Sequence, residues 1–512
     1  MSFRPITVAS VAALVTLVLW WPLRQFLPDD AFIHMQYAKH LRDGHGLVFN
    51  LGERVYGTTS PVWSALLGLL GRLGLDLRDA AQGLSLLCAL AASALGIRVF
   101  ARFVAGPGPG GGPAPWIAAC AALAWATDAW FLRWAGSGME TSFAALCVIA
   151  GFDRYTSTRP WGARPFAPGL LWSLAALARP ESGLLIVLLA VRVALEPGAL
   201  VARAKATVAA LAPAVVLGGA WTAWAWSYYG TPLPITLTAK SSEYGGWGGA
   251  VHILLLIASE FAVSRPVELA ALVFLGPAFF AAERAAGRGR EHIVPLGWLL
   301  ALPAFYAASG VPGVTRYIVP LAPLLVAYGW RLLAPHLRDT RRALATLGVA
   351  SGVGLVAYVV VIIPQAKTFT AGVEATLADQ GRWFAANTPS GTRVAIRDIG
   401  VFAYYSDRPV VDLAGLVTPE MGPLMQEHTY DDIATQMRFA AFARPEYLID
   451  AATEPARMHA DSPFGDCLTL VREGRLDRRA IRKPEPAWFS VYRIDWACVD
   501  RVGESSTPGE AR

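Results

Sequence analysis

Residues 28–63, PDDAFIHMQYAKHLRDGHGLVFNLGERVYGTTSPVW, decide how the rest of the chain is read. They follow, after Leu27, on MSFRPITVASVAALVTLVLWWPLRQF (1–26), an apolar run opened by Arg4 and closed by a Trp pair. That run is long enough to cross a bilayer core, which takes about 20 residues. No small-residue cleavage site follows, so it reads as an uncleaved first span with its N-terminus in the cytoplasm. Asp29 and Asp30 then stand side by side where the chain leaves the membrane, at the start of a helix expected over 31–42.

Composition agrees with a membrane chain. Of 512 residues 54% are hydrophobic and 16% are Asp, Glu, Lys or Arg, with a mean hydropathy of +0.42. Soluble domains average about 25% charged. The net charge of +6 hides a split. Residues 1–363 carry 27 basic against 17 acidic residues, and 364–512 carry 17 against 21. No basic run with interleaved aromatics occurs, so nucleic acid is not an expected partner.

Basic clusters recur at Arg98/Arg102, Arg154/Arg159/Arg164, Arg192/Arg203/Lys205, Arg284/Arg288/Arg290 and Arg331/Arg338/Arg341/Arg342. The positive-inside rule places them in the cytoplasm. The expected fold is a polytopic α-helical membrane protein of about 11 spans: 7–27, 80–104, 115–132, 138–153, 167–178, 182–196, 207–229, 267–282, 293–309, 317–334 and 343–363. The apolar stretches 61–75 and 251–263 break the alternation and are short, so they are expected as re-entrant or interfacial helices. GPGPGGGPAP (106–115) has no Lys to cradle phosphate and reads as a linker.

After Pro364 apolar runs shorten. TLADQGRWFAANT (376–388) reads as a helix, as does DDIATQMRFAAFA (431–443) with an Asp cap. RVAIRD, PVVDLAG, EYLID, CLTLVRE and WFSVYRID read as strands. The expected division is a membrane part over 1–363, an extracytoplasmic α/β domain over 364–503 and a disordered tail over 504–512. Cys88, Cys120 and Cys147 fall in apolar spans as packing residues. Cys467 and Cys498 can pair if their domain lies outside the cytoplasm, or stay free.

The candidate chemistry collects on the face opposite the basic clusters. Asp29 and Asp30 can act as a general base, hold a divalent cation against a phosphate, or merely cap a helix. Glu140 opens a span, where an acid also complements the helix dipole. Arg179 and Glu181 sit between two short spans, where ionisable groups pair or line a cavity. Lys240 can hold a lipid phosphate as a point charge or snorkel to headgroups. Arg316 starts a span on this basic-poor face and calls for a fixed anion. Tyr56 and His45, in the shaped part of the first loop, complete the candidate substrate-binding set.

The run DGHGLVFNLGERVYGTTSPVW (43–63) behind an acidic pair resembles the first outer loop of the GT-C membrane glycosyltransferases. The branch it is most similar to is that of the terminal cell-wall arabinofuranosyltransferases and their uncharacterised relatives. SGMET (137–141), ARPE (178–181), PITLTAK (234–240), RYIVPLAP (316–323) and DIGVFAYYSDRPVVDLAGLV (398–417) carry the likeness along the chain. The resemblance implies a polyprenyl-phosphate sugar donor, arabinofuranose in that branch, and an inverting transfer to a cell-envelope glycan at the outer face of a bacterial plasma membrane. It makes Asp29 or Asp30 the base and puts Lys240 and Arg316, with Arg179, at the donor phosphate. Metal use stays open, since the family contains both kinds of enzyme. Three other readings stand beside it: a transporter of lipid-linked sugar, a related enzyme acting on lipid A or protein, and an assembly protein whose C-terminal domain binds a partner or glycan. A transporter needs opposed cavities and often inverted repeats, and the sequence shows no repeat.

Overall fold

The computed structural model describes residues 5–105, 115–158, 160–235, 246–311, 315–337, 339–481 and 484–506. Seven helices among them are long and apolar enough to cross a membrane: Ile6–Leu23, Leu77–Ala105, Leu200–Tyr229, Gly246–Ser264, Pro266–Ala285, Gly289–Ser309 and Thr340–Asn387. The protein is a multi-pass helical membrane protein with a sheet-containing domain at its C-terminal end. Large apolar side chains on several of these helices lie open on the surface, Val215, Phe274, Leu300 and Val360 among them, as on a face made for lipid.

Several expected spans take a different form. The 251–263 stretch lies inside a 19-residue helix, Gly246–Ser264, which is long and apolar enough to cross a membrane. The 115–132 span breaks after Ala126, because Asp128 caps a new helix, Ala129–Trp134, by accepting the Phe131 amide at 2.8 Å. The 317–334 span is split into Thr315–Ile318 and Ala322–Leu333 around Pro320, which has no amide to continue a helix. The 343–363 span does not stop at 363. Its helix continues to Asn387 over 48 residues, with π-helical turns at Tyr358–Ile362 and Glu374–Ala378. The stretch 61–75 forms the 12-residue helix Pro61–Arg72. The linker residues 106–114 lie outside the described residues.

Charges within the helical part are paired, as a low-dielectric surrounding requires. Arg265 meets Asp128 at 2.9 Å with both side chains buried. Asp153 gathers Arg98 and Arg102 at 3.1 and 2.8 Å. Glu283 gathers Arg288, Arg331 and His292.

The C-terminal sheet has the order β2-β1-β3-β5-β4. Its strands are β1 (Val394–Ile396), β2 (Val410–Asp412), β3 (Tyr447–Ala452), β4 (Leu468–Leu476) and β5 (Ala487–Ile494), each within or overlapping a stretch read as strand from sequence. β2, β1 and β3 are parallel, and β5 runs antiparallel to β3 and β4. Strand alternation serves two cores. Val394, Ile396, Val410 and Val491 join the core shared with the membrane part, while Ala395, Val411, Leu448 and Tyr492 join a second core. The 431–443 helix is shorter than expected. It spans Tyr430–Thr435 and is capped by Thr429, whose hydroxyl accepts the Asp432 amide, and a left-handed Met437 ends the turn. Cys467 and Cys498 form a disulfide. The last helix, Trp496–Ser506, takes in the first three residues of the expected tail, and 507–512 lie outside the described residues.

The first loop is sewn to this domain. The Asn50 side-chain amide donates to the Val410 carbonyl at 2.9 Å and accepts the Val410 amide at 3.0 Å, closing the open edge of β2. Lys39 donates to Asp407 at 2.8 Å, and Arg78 donates to the Tyr405 hydroxyl at 2.6 Å.

Small residues let membrane helices approach closely. A Cβ on Gly169, in the helix Phe166–Ala178, would sit 2.4 Å from the Ala210 carbonyl oxygen of the helix Leu200–Tyr229. Gly169→Ala is therefore expected to force these backbones apart and cost about 1–3 kcal/mol, read as a lowered thermal unfolding midpoint in detergent. An unchanged midpoint would contradict the close crossing.

Candidate active site

The helix Asp29–Arg42 begins after Pro28, its N-cap residue, with both acids in its first turn. The two acids face different ways. Asp30 pairs with Arg316 at 2.6 Å on the wall of a cavity of about 180 Å³. Asp29 turns to the C-terminal domain, where its carboxylate accepts the amides of Gly400 at 3.0 Å and Val401 at 2.7 Å. Those amides open the helix Ile399–Ser406, so helix-dipole and hydrogen-bond attraction act together. Burial, followed by the Asp398 charge, nevertheless pushes the Asp29 carboxyl up to about 7, with the two amides pulling it back. Gly400 is required here, because a Cβ would lie 2.1 Å from the Asp29 carbonyl oxygen.

One turn along the same helix, His34 reaches the cavity with Nε2 3.2 Å from a Glu140 oxygen. Glu140 stands at the start of the helix Thr141–Tyr155 but makes no capping bond. Its other oxygen takes Arg179 Nη1 at 3.1 Å. Arg179, 4% exposed, also donates from Nε to Glu181 at 2.8 Å. The Tyr306 hydroxyl donates to the same Glu181 oxygen at 2.6 Å, and its ring stacks on Tyr317 at 5.0 Å. Arg179 and Arg316 both lie over the Tyr317 ring, at 4.7 and 5.1 Å. The Nε of Arg316 is buried without a hydrogen-bond partner among the described residues.

Asp30, Glu140, Arg179, Glu181 and Arg316 thus line one cavity, although they come from distant parts of the chain. Tyr56 lines a neighbouring cavity of about 250 Å³ that shares Thr59 and Pro180 with the first. Its hydroxyl accepts Trp221 Nε1 at 2.6 Å and its ring stacks on Tyr229. His45 is exposed on its turn, edge-on to His40 at 6.2 Å, and lines neither cavity. Lys240 lies outside the described residues. Asp29 and Asp30 face different partners, so an ion bridging both would need one of them to turn. No group of three His, Cys, Asp or Glu side chains stands ready for a metal among the described residues.

Tyr306, Tyr317, Ser309 and Leu416 also line the cavity and were not singled out from sequence. Tyr317 had a signal, its place beside Arg316. Leu416 had one only through the DLAGLV run. There the Asp412 carboxylate accepts the amides of Ala414, Leu416 and Val417 at 2.8, 2.6 and 3.0 Å and bends the turn over the cavity. A Cβ on Gly57 would lie 2.3 Å from the Leu416 carbonyl oxygen, so loop and roof touch. Burial pushes the Asp412 carboxyl up to about 7 as well.

A family model described as a domain of unknown function, DUF8728, matches residues 368–498. Two relatives are terminal beta-(1->2)-arabinofuranosyltransferases. The one from Corynebacterium glutamicum is 30% identical over 251 residues, 44% of this chain and 34% of the relative. The one from Mycobacterium tuberculosis is 26% identical over 452 residues, 85% of this chain and 65% of the relative. The chain thus spans between a third and two thirds of the length of the curated relatives it matches. Among solved structures, the oligosaccharyltransferase AglB of Archaeoglobus fulgidus, in complex with an inhibitory peptide and a dolichol-phosphate, aligns with a TM-score of 0.57 at 13% identity. That alignment covers 90% of this chain and 71% of AglB. ArnT of Cupriavidus metallidurans, bound to undecaprenyl phosphate, aligns with a TM-score of 0.54 at 13% identity and covers 94% and 97%. The fold is that of the GT-C type.

The two raised carboxyls set a pH dependence. Folded Asp29 and Asp412 titrate near 7, above the ordinary value of 3.8. Between those values the folded state holds more protons than the unfolded one, so stability falls as pH rises through the window. The unfolding midpoint is expected to be higher at about pH 5 than at about pH 8, and Asp29→Asn with Asp412→Asn is expected to flatten the slope. A slope of the opposite sign that is insensitive to both changes would refute the assignment.

Proposed function

We propose that this chain is an integral-membrane glycosyltransferase that moves a sugar from a polyprenyl-phosphate donor to a cell-envelope glycan, with inversion. The observation that carries the reading is the Asp30–Arg316 pair on the cavity wall, with the Arg316 Nε left unpartnered among the described residues. A donor phosphate offers that guanidinium a second set of oxygens. As Arg316 turns to the phosphate, the Asp30 carboxylate is released to take a proton from an acceptor hydroxyl. The hydroxyl oxygen attacks the anomeric carbon from the face opposite the phosphate. The bond to the phosphate oxygen breaks with its electron pair, and Arg316 holds the charge that develops there. The released polyprenyl phosphate leaves along the membrane.

The remaining groups have supporting roles in this scheme. Arg179 is fixed by Glu140 and Glu181 and presents its guanidinium on the same wall. Glu140 and Glu181 keep it there, and His34 steadies Glu140. Tyr56, in the adjoining cavity, faces the path toward the prenyl chain. Lys240 and His45 are assigned to the substrate side from the sequence: Lys240 lies outside the described residues, and His45 would have to reach the cavity from its exposed turn. The proposed sugar is arabinofuranose, in keeping with the two relatives.

We place the protein in a bacterial plasma membrane, N-terminus inside and the 364–503 domain outside. The Cys467–Cys498 disulfide supports this, since such bonds persist outside the reducing cytoplasm. Leu416 on the cavity wall supports a role for that domain in roofing the site and meeting the acceptor.

The test is a transfer assay on purified protein in nanodiscs. It offers a panel of polyprenyl-phosphate sugars including arabinofuranose, with and without EDTA to read whether a divalent cation takes part. One donor is expected to release free polyprenyl phosphate. Asp30→Asn is expected to lower kcat by about 10²–10⁴ with donor binding kept, and Arg316→Gln to weaken donor binding. Full turnover in Asp30→Asn would remove Asp30 as the base. Transport of intact lipid-linked sugar without turnover would replace the enzyme by a carrier.

A further inference from the structure

Two cavities flank the segment where the long C-terminal-side helix leaves the apolar layer, and both are rich in cations. The first, about 500 Å³, lies between the end of the first helix and residues 366–374 and is lined by Arg24, Arg78 and Lys367. The second, about 540 Å³, lies against Thr368 and is lined by Arg475, Arg478 and Arg479. Lys367 and Thr368 are neighbours in sequence, so the cavities sit on adjacent faces of one helix. Three acids share these walls, and two are already engaged. Glu374 accepts Arg382, and Asp477 accepts the Arg479 backbone amide at 2.8 Å. Six cations stand against three carboxylates on these walls, so the balance toward a ligand is positive.

Depth identifies the ligand. Val359, Val360 and Val361 are more than half exposed on the same helix, as residues facing hydrocarbon would be. Lys367 follows Val361 by six residues, about 9 Å of helix rise. The polar layer of a bilayer adds about 5–8 Å on each side of the hydrocarbon core. The cations therefore begin at the depth of lipid phosphates. Trp21, 58% exposed, marks the same level, and the Arg24 guanidinium lies 5.0 Å above its ring. Arg475, Arg478 and Arg479 are exposed, and Lys367 has no ion pair or hydrogen bond among the described residues.

We propose that this collar, centred on Arg24, Lys367, Arg478 and Arg479, binds the phosphates of anionic phospholipids and seats the C-terminal domain on the bilayer surface. The inference is independent of the transfer reaction, because none of these residues lines the Asp30 cavity. It adds an anionic-lipid site on the face that carries the C-terminal domain.

The test measures which lipids stay with the protein. Full-length protein is taken through mixed micelles of equal phosphatidylglycerol and phosphatidylcholine, and the retained lipid is quantified by mass spectrometry. Wild type is expected to retain phosphatidylglycerol well above its bulk share. The combined variant Arg24→Gln, Lys367→Gln, Arg478→Gln, Arg479→Gln is expected to lose that enrichment, about fivefold for each cation removed. Arg78 is left in place because it holds Tyr405. If the fourfold variant melts early, the exposed pair Arg478→Gln with Arg479→Gln is read instead. Equal enrichment in variant and wild type, or a wild-type ratio equal to bulk, overturns the proposal. So does displacement of the lipid by inorganic phosphate alone, which would make the collar a site for free anion.

Discussion

A charge surrounded by hydrocarbon and protein must find an opposite charge, and this constraint orders the molecule. Arg265 with Asp128, and Asp153 with Arg98 and Arg102, lock helices together far from any candidate chemistry. The cavity obeys the same rule in a more loaded form. Glu140 and Glu181 are held together through Arg179, and the second Glu140 oxygen lies 3.2 Å from His34, so their geometry is set before any ligand arrives. Arg316 holds Asp30 and keeps one guanidinium nitrogen without a hydrogen bond among the described residues. A rigid network beside a pair that can exchange partners is a sound basis for group transfer, because only the second needs to reorganise.

The adjacent acids of the first loop divide the labour. Asp30 belongs to the cavity, and Asp29 belongs to the joint between loop and C-terminal domain. The joint is built from backbone as much as from side chains. Asp29 takes two amides of Ile399–Ser406, and Asn50 completes the edge of β2. Two acids that look interchangeable in sequence are separated by one residue of helical rotation, about 100°, which sends neighbours to different faces.

Much of the site was legible because charge is rare in an apolar chain. Glu140, Arg179, Glu181 and Arg316 stood out for that reason alone, and they meet. What could not be read was direction. Glu140 makes no capping bond and turns to Arg179, and the Asp29 carboxylate takes two amides of another helix, so tertiary partners decide where these acids point. Tyr306 was hidden among many interfacial aromatics, and nothing local marks it as the hydroxyl that fixes Glu181. The strands of the C-terminal domain were readable from their alternation. The helix breaks at Asp128 and Pro320 were not, because a hydropathy run stays continuous through one capping residue. The Gly246–Ser264 helix is longer than the apolar stretch 251–263 indicated, because its glycine-rich start, GWGG, shortened the apparent apolar length.

The helix Thr340–Asn387 has a mechanical consequence. At 1.5 Å per residue, 48 residues make a rod of about 72 Å, more than twice the hydrocarbon core. It carries the sheet domain without a flexible hinge, so the domain cannot tumble freely above the membrane. The turn that holds Leu416 over the cavity belongs to the domain that this rod carries, so the length of the rod sets the distance of that turn from the apolar helices, in the way that a strut sets the height of a roof.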